Sequence, residues 1–277
     1  MRTERDPTTV SMARIGWADL PDEVQTAVED KIGPVLAHAS VAGGVNSAVA
    51  ATLHTAAGPV FVKGIPLDHP QIGSQRRERD INPTVRTLSP RLLWDLETAG
   101  WSLLCFEHAP GRHADYTPGS ADLPRVAALL NDLAALPCPQ VPTIKTVEQR
   151  WSAYVPPTQR HHLRGTHLLH TDFAPDNILI SADRTLLLDW AWPTIGPAWA
   201  DPAALLIRLI DAGHLAAAAD AWGREQFSSW RDARAEAVTA FTGALAQMWT
   251  EIAETDPQPW KQSMASAARR LADRRAN

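Results

Sequence analysis

Two short apolar runs in the middle of the chain are each joined to side chains that could do chemistry. The segment HTDFAPDNILI, residues 170–180, puts a carboxylate and a carboxamide just ahead of an apolar run, and LLLDW then adds the carboxylate of Asp189. If NILIS and TLLLD are strands joined by the turn SADR, Asn177 and Asp189 lie at the same end of a hairpin. Two hard oxygen ligands at one place suit Mg²⁺ that also holds phosphates.

Asp172 lies on the loop before the first of these strands and need not bind the metal. Its carboxylate can instead accept a proton from a hydroxyl group. Phosphoryl transfer requires this division of labour, because the protein mainly positions groups and neutralises charge while one carboxylate orients the nucleophile. The three residues therefore indicate phosphoryl transfer to a hydroxyl.

The N-terminal third of the chain has the pattern of an antiparallel sheet. Strand-like runs end at Val41, Thr55 and Lys63 and are separated by glycine-bearing turns, and RLLWDLE and WSLLCFE predict a further hairpin. LPDEVQTAVEDKIG predicts a short amphipathic helix, and residues 74–88 predict a charged helix that Pro83 should kink or end. We expect a five-stranded antiparallel sheet with one internal helix.

The composition changes after HAPGRHADYTPGS, a connector that contains Gly and Pro. Ala/Leu-rich helical patterns follow at 120–136, 199–222 and 231–254. We therefore expect an α+β chain with two lobes, a sheet-rich nucleotide-binding lobe at 1–107 and a mainly helical catalytic and substrate-binding lobe at 108–277.

HTDFAPDN followed by LLLDW resembles the catalytic-loop and metal-binding signature of the aminoglycoside phosphotransferase and choline kinase family, small-molecule relatives of protein kinases. The protein-kinase form is H-R-D-x-x-x-x-N and D-F-G. This chain has Thr171 for the Arg and Trp-Ala for Phe-Gly after the metal aspartate. The resemblance implies a bilobal protein-kinase-like fold with ATP between the lobes, Asp172 as catalytic base, and Asn177 and Asp189 as Mg²⁺ ligands. It implies a supporting role for His170.

The same resemblance assigns nucleotide-binding roles upstream. Lys63 ends a strand where the family has its phosphate-binding lysine, although a lysine there is commonly a solvated strand-end charge. Glu78, in RRERD, is the predicted ion-pair partner of Lys63, or else an exposed helix charge. The loop AGGVNS lies where backbone N–H groups would cover the phosphates, or is only a turn. The residues predicted to contact the phosphates from this loop are Gly44, Val45, Asn46 and Ser47. The main chain of Glu107 and His108 is predicted to contact adenine.

The acceptor is predicted to be a small molecule. Only WAWPTIGPAWA separates Asp189 from Asp201, too little chain to dock a polypeptide, and Asp201 itself is interpreted as a structural helix-start residue. Trp192 could stack on the acceptor or fill a core.

The resembled antibiotic kinases surround cationic sugars with carboxylates from C-terminal helices. The residues of this chain that could do so, or be ordinary solvated charges, are Asp176, Glu225, Glu236, Glu251, Glu254 and Asp256. Arg224, Arg231 and Arg234 occupy the same region, so the mixed signs leave a cationic acceptor open.

The resulting prediction is ATP- and Mg²⁺-dependent transfer of the γ-phosphoryl group to a hydroxyl of a small molecule, first of all an aminoglycoside-like or other antibiotic or an amino alcohol. One alternative is a catalytically inactive kinase-like module that binds nucleotide or another protein. Another is a metal hydrolase that uses His161, His162, His167 and His170, but these lack the H-E-x-x-H spacing.

Composition bounds the remaining possibilities. The formal net charge is −5 and no basic stripe is present, so we expect no nucleic-acid partner. The N-terminus has no apolar leader and no long uncharged apolar run occurs, so we expect a cytoplasmic protein without a membrane partner. Cys105 and Cys138 lack metal spacing, and we expect neither a disulfide nor a zinc role. The oligomeric state is left open.

Overall fold

The structure, a computed structural model, describes residues 14–41 and 47–276. The chain divides into two compact units. The N-terminal unit runs to Gly111 and also contains Leu187–Trp192, and the C-terminal unit contains Arg112–Leu186 and the chain from Pro193 onward. Within the described residues, no helix combines the length and the apolar character that crossing a membrane requires.

The N-terminal unit is built on an antiparallel sheet. Its strands β1 to β5 are Ala37–Ser40, Val49–Thr55, Gly58–Pro66, Leu92–Thr98 and Trp101–Glu107. They lie in the order β1-β2-β3-β5-β4, and each pairs antiparallel with its neighbours. The predicted five-stranded sheet is confirmed.

The turn between β4 and β5 is fixed by its sequence. Thr98 pairs with Trp101, which leaves Ala99 and Gly100 as a two-residue turn. Both residues have positive φ, 45° and 78°, as a type I′ turn requires. Gly100 adopts this conformation at little steric cost because it has no Cβ.

Two helices accompany this sheet, α1 at Asp22–Ile32 and α2 at Ile72–Val85. The apolar face of α1 belongs to one buried cluster with side chains of β2, β3 and β5, which is the core of the unit. Pro83 lies in the last turn of α2, and the helix ends at Val85 rather than at residue 88.

The C-terminal unit contains two small sheets. Strands β6 to β11 are Arg112–His113, Lys145–Thr146, His167–Leu169, Ile178–Ile180, Thr185–Leu187 and Thr194–Gly196. One sheet has the order β10-β9-β6 and the other β7-β11-β8. The predicted hairpin of NILIS and TLLLD corresponds to β9 and β10. The other four strands have two or three residues each, too few for a periodic signal in the sequence.

The rest of this unit is helical. Helices α3 to α9 are Leu123–Ala134, Val147–Trp151, Ala200–Asp211, Ala216–Gln226, Ser228–Arg231, Ala235–Thr255 and Pro259–Ala276. The prediction of a single helix at 199–222 is wrong, because the chain breaks between α5 and α6 at Gly213, which has a φ of 107°. Helix α9, which the patterns did not identify, packs against α5 and α8.

Candidate active site

The loop between β8 and β9 carries Asp172 and contains a strained residue. Thr171 has a φ of 69°. A left-handed conformation costs about 1–2 kcal/mol for a residue other than glycine, and it is rare for a β-branched side chain. Such a backbone persists only where its surroundings hold it.

Asp201 of α5 holds this backbone. Its carboxylate is buried and accepts hydrogen bonds from the His170 N–H at 3.0 Å and the Thr171 N–H at 2.9 Å. Burial raises the pKa of Asp201 to about 7, although these two hydrogen bonds and the charge of Arg150 oppose the shift. The structural interpretation of Asp201 stands, but its reason was wrong: the side chain does not cap its own helix and instead fixes the neighbouring loop.

Arg150 of α4 fixes the same loop from another side. Its Nη1 donates to Thr171 Oγ1 at 2.8 Å and to Thr194 Oγ1 at 2.6 Å. The guanidinium lies over the Trp151 ring at 4.5 Å from its centroid. Thr171 stands where protein kinases have an Arg, and its hydroxyl accepts a hydrogen bond from Arg150 of α4.

The two carboxylate oxygens of Asp172 have different surroundings. Oδ1 accepts from Arg208 Nη2 at 2.8 Å and from the Ala174 N–H at 3.3 Å. Within the described residues, Oδ2 has no hydrogen-bond donor, and 47% of the side chain is exposed. One oxygen is therefore held by the protein while the other is open to a hydroxyl group.

The charge state of Asp172 suits this geometry. Packing around the carboxylate acts to raise its pKa, but the charge and hydrogen bond of Arg208, together with His170, leave the pKa below its ordinary value. Asp172 is thus ionised at neutral pH. His170 is buried, and its Nδ1 lies 3.3 Å from the Asp172 N–H, in keeping with the supporting role predicted for it.

Asn177 ends the same loop, immediately before β9. Its Nδ2 donates to the Asp172 carbonyl at 3.1 Å, which leaves the amide oxygen for another partner. An amide oxygen and the carboxylate of Asp189 are the hard donors that Mg²⁺ prefers, so the two side chains fit that metal chemically. In the described part of the chain, no group of three or more His, Cys, Asp or Glu side chains could hold a metal.

In the N-terminal unit, Lys63, Glu78 and Asp189 come together. Lys63 projects from β3 and Glu78 from α2, both are buried, and Lys63 Nζ lies 2.5 Å from Glu78 Oε2. Asp189 Oδ1 lies 3.6 Å from Lys63 Nζ. Burial acts to lower the pKa of Lys63, but Glu78 and Asp189 outweigh it and raise the pKa above its ordinary value. The lysine is therefore a buried ammonium group that two carboxylates surround.

The segment around Asp189 is anchored by its neighbours. Trp190 is buried and donates from Nε1 to Ser89 Oγ at 2.7 Å, and Ser89 Oγ donates to the Leu187 carbonyl at 2.7 Å. The Arg77 guanidinium lies over the Trp192 ring at 4.9 Å from its centroid. Trp190 is therefore a core residue, and Trp192 has a partner within its own unit.

The other predicted nucleotide contacts are only partly described. Gly44, Val45 and Asn46 lie outside the described residues, and Ser47 is buried just before β2. Glu107 is the last residue of β5, and His108 follows it in an irregular segment. Their roles remain predictions.

Most of the carboxylates proposed to surround a cationic acceptor are exposed to solvent. Five are exposed: Asp176, Glu225, Glu236, Glu254 and Asp256. Glu251 accepts from the Tyr154 hydroxyl at 2.9 Å, and Asp256 is paired with Lys261. The rings of His161 and His162 stack with centroids 4.0 Å apart.

Sequence reasoning missed Arg208 and Arg150. A signal for Arg208 existed, because it is the single cation in the apolar stretch PAALLIRLI and stands seven residues after Asp201. That spacing puts both side chains on the same face of a helix. Arg150 had no comparable signal, since its partners Thr171 and Thr194 are distant in sequence.

Residues 107–254, more than half of the chain, match the model of a family described as the phosphotransferase enzyme family, APH. No curated protein sequence matches the chain.

Solved structures match nearly the whole chain. A thermostable mutant of aminoglycoside phosphotransferase APH(4)-Ia in ternary complex with AMP-PNP and hygromycin B has a TM-score of 0.60 at 15% identity, with 90% of this chain and 99% of that chain covered. Choline kinase LicA from Streptococcus pneumoniae has a TM-score of 0.58 at 14% identity, with coverage of 90% and 99%. A putative fructosamine-3-kinase from Haemophilus somnus 129PT has a TM-score of 0.56 at 10% identity, with coverage of 90% and 96%. The predicted kinase-like fold is confirmed.

Proposed function

The chain belongs to the phosphotransferase enzyme family, and from this premise we propose that it transfers the γ-phosphoryl group of ATP to a hydroxyl group of a small molecule. The observation that carries the proposal is the state of Asp172. Its carboxylate is ionised, is held through Oδ1 and leaves Oδ2 open. A carboxylate in this state can orient a hydroxyl for in-line attack and accept its proton.

Lys63 contacts the α- and β-phosphates in this proposal, and Glu78 steadies it. The buried ion pair at 2.5 Å supports the assignment, because a lysine fixed in this way needs no reorganisation when the phosphates bind. Backbone groups of Gly44, Val45, Asn46 and Ser47 are assigned to the phosphates. The main chain of Glu107 and His108 is assigned to adenine.

Asn177 and Asp189 are assigned as the ligands of Mg²⁺. The amide orientation of Asn177, fixed by its hydrogen bond to the Asp172 carbonyl, supports its part in this. A bound Mg²⁺ would neutralise phosphate charge. Asp201 and Arg150 keep the loop in its strained conformation, so that Asp172 and Asn177 hold their positions relative to each other.

The proposed acceptor class is supported by what solved structures of similar fold bind or act on. The solved relatives include an aminoglycoside phosphotransferase in complex with hygromycin B and a choline kinase. We assign this chain the same broad class, an aminoglycoside-like or other antibiotic or an amino alcohol. The short segment between Asp189 and α5 supports a small acceptor over a polypeptide.

The test is phosphoryl transfer to a panel of acceptors. The protein is incubated with Mg·ATP and aminoglycosides, other basic antibiotics, choline, homoserine and sugars, and products are examined for a mass gain of one phosphoryl group. Asp172→Asn keeps the shape of the side chain and should lower kcat at least about 100-fold, while Mg·ATP still binds. Asp183→Asn, an exposed aspartate in the β9–β10 turn, is the matched control. Binding of Mg·ATP with no product from any acceptor would indicate an inactive module instead.

A further inference from the structure

Arg208 has more hydrogen-bond donors than the described part of the chain satisfies. A guanidinium carries five N–H donors. Among the described residues, the one oxygen acceptor of this side chain is Asp172 Oδ1, at 2.8 Å from Nη2. Nη1 faces Met264 Sδ at 3.4 Å, a weak acceptor, and the ring of Trp249 lies 5.6 Å from the guanidinium carbon. The side chain is 15% exposed, so solvent reaches little of it.

Tyr116 adds a second donor without an acceptor. The residue is 2% exposed, and its hydroxyl has no hydrogen-bond partner in the described structure. The Tyr116 carbonyl lies 2.9 Å from Nε2 of His214, directly after α5, which ties this residue to the helix that carries Arg208. Burial raises the pKa of the phenol, with Arg208 opposing the shift and Asp172 adding to it.

Buried donors without acceptors are uncommon in proteins and are unfavourable, because they lose their hydrogen bonds to water. The Tyr116 hydroxyl is one such donor, and Arg208, which holds the carboxylate proposed as the catalytic base, has one oxygen acceptor among the described residues. An anionic oxygen group would satisfy both and would replace the thioether in front of Arg208 with a charge-assisted hydrogen bond.

We propose that Arg208 and the Tyr116 hydroxyl form an oxyanion subsite beside Asp172. The proposal rests on the catalytic role proposed for Asp172. Anionic oxygen atoms can come from either of two sources, a carboxylate of the acceptor or the phosphoryl group during transfer. An arginine that contacts the phosphoryl group would stabilise the charge of the transition state.

Arg208 makes its own side of Asp172 unfavourable for an ammonium group. A cationic group next to Arg208 would be repelled, and Glu251 already accepts from Tyr154. Trp249 and Trp260 carry protein cations over their rings, Arg208 at 5.6 Å and Lys261 at 5.3 Å. If the anion belongs to the acceptor, the acceptor is a hydroxy acid, whose carboxylate lies on Arg208 while its hydroxyl reaches Asp172 Oδ2.

The first experiment tests the acceptor as the source. Glucuronate, glucose and glucosamine share a ring and differ in charge, and their binding to the protein with Mg·AMP-PNP is measured by calorimetry. We expect glucuronate to bind on the order of tenfold more tightly than glucosamine, and Arg208→Gln to remove the preference. Lys261→Gln, which removes a cation from a neighbouring tryptophan, is the matched control and should keep it.

The second experiment tests the phosphoryl group as the source. Inorganic phosphate is titrated into the Mg·ADP complex and followed by phosphorus NMR. If the subsite receives the transferred group, Arg208→Gln weakens phosphate binding on the order of tenfold, and the three sugars show no charge preference. Tyr116→Phe should also weaken binding of the anion, without loss of thermal stability, because the hydroxyl has no partner to lose.

The proposal is overturned if neither glucuronate nor phosphate binds, or if binding of both is the same in wild type and in Arg208→Gln. Glucosamine as the preferred sugar would contradict the acceptor as the source of the anion and would leave the phosphate titration to decide. Failure of the proposed kinase function can be distinguished from failure of the subsite. Anion binding that depends on Arg208, in a protein that transfers no phosphoryl group to any acceptor, would contradict the proposed function and leave the subsite.

Discussion

Replacing Lys63 with Met would test the buried ion pair of the N-terminal unit. Met fills most of the space of the lysine stem but leaves Glu78 without its partner. The two side chains are 11% and 7% exposed and their charges lie 2.5 Å apart, so solvent screens them little. Removing one member of such a pair costs about 3–5 kcal/mol of folding free energy.

The cost should depend on pH in a defined direction. Burial already raises the pKa of Glu78 above 4.5, with Lys63 opposing the shift, so loss of Lys63 raises that pKa further. A group whose folded pKa is raised favours the folded state below its unfolded pKa, and this contribution is lost as pH rises through the folded pKa. Lys63→Met should therefore be least destabilised at acidic pH and most destabilised near neutrality.

Urea denaturation followed by tryptophan fluorescence measures the effect. Arg76→Met is the matched control, because Arg76 and Glu97 form a pair in the same unit at 3.0 Å whose side chains are 46% and 39% exposed. That change should cost less than about 1 kcal/mol. Lys63→Met/Glu78→Gln should recover part of the loss. Equal costs for Lys63→Met and Arg76→Met would refute the reasoning.

Three further changes test other parts of the structure. Folding raises the pKa of Asp201 from 3.8 to about 7, so its contribution to stability is full below pH 3.8 and is lost as pH rises through about 7. Asp201→Asn should therefore flatten the dependence of Tm on pH between these values. Parallel curves of Tm against pH for the wild type and the variant would contradict this. Gly165→Ala should destabilise strongly or prevent folding, because a Cβ there would lie 2.1 Å from the Pro197 nitrogen; an unchanged Tm would show that the backbone is not packed in this way. Burial raises the pKa of Cys105 to about 12, so iodoacetamide should label the half-buried Cys138 and spare Cys105 in the folded protein, as intact mass would report.

The sheet and the chemistry-bearing loop were predictable because their signals are local. Strand patterns, glycine turns and the pair of apolar runs after Asp172 act over a few residues, and the observed β1 to β5 and β9–β10 follow them. The Lys63–Glu78 contact was also predicted, through a resemblance to kinases rather than through local pattern.

What could not be predicted depends on tertiary contacts. The break at Gly213 lies inside an apolar helical pattern that continues on both sides, so periodicity alone gave one helix. Asp201 was expected to cap its own helix, but its carboxylate is buried against a loop thirty residues earlier in the chain. The spacing of Arg208 from Asp201 indicates a shared helix face, but its contact with Asp172 is made across 36 residues of sequence and could not be read from that spacing.

The most direct test of the account is transfer of labelled phosphoryl from [γ-³²P]ATP to the acceptor panel, measured for wild type, Asp172→Asn and Asp183→Asn. We expect labelled product from wild type and Asp183→Asn, and at least about 100-fold less from Asp172→Asn. Equal labelling by wild type and Asp172→Asn would contradict the role of this carboxylate, on which the proposed function depends.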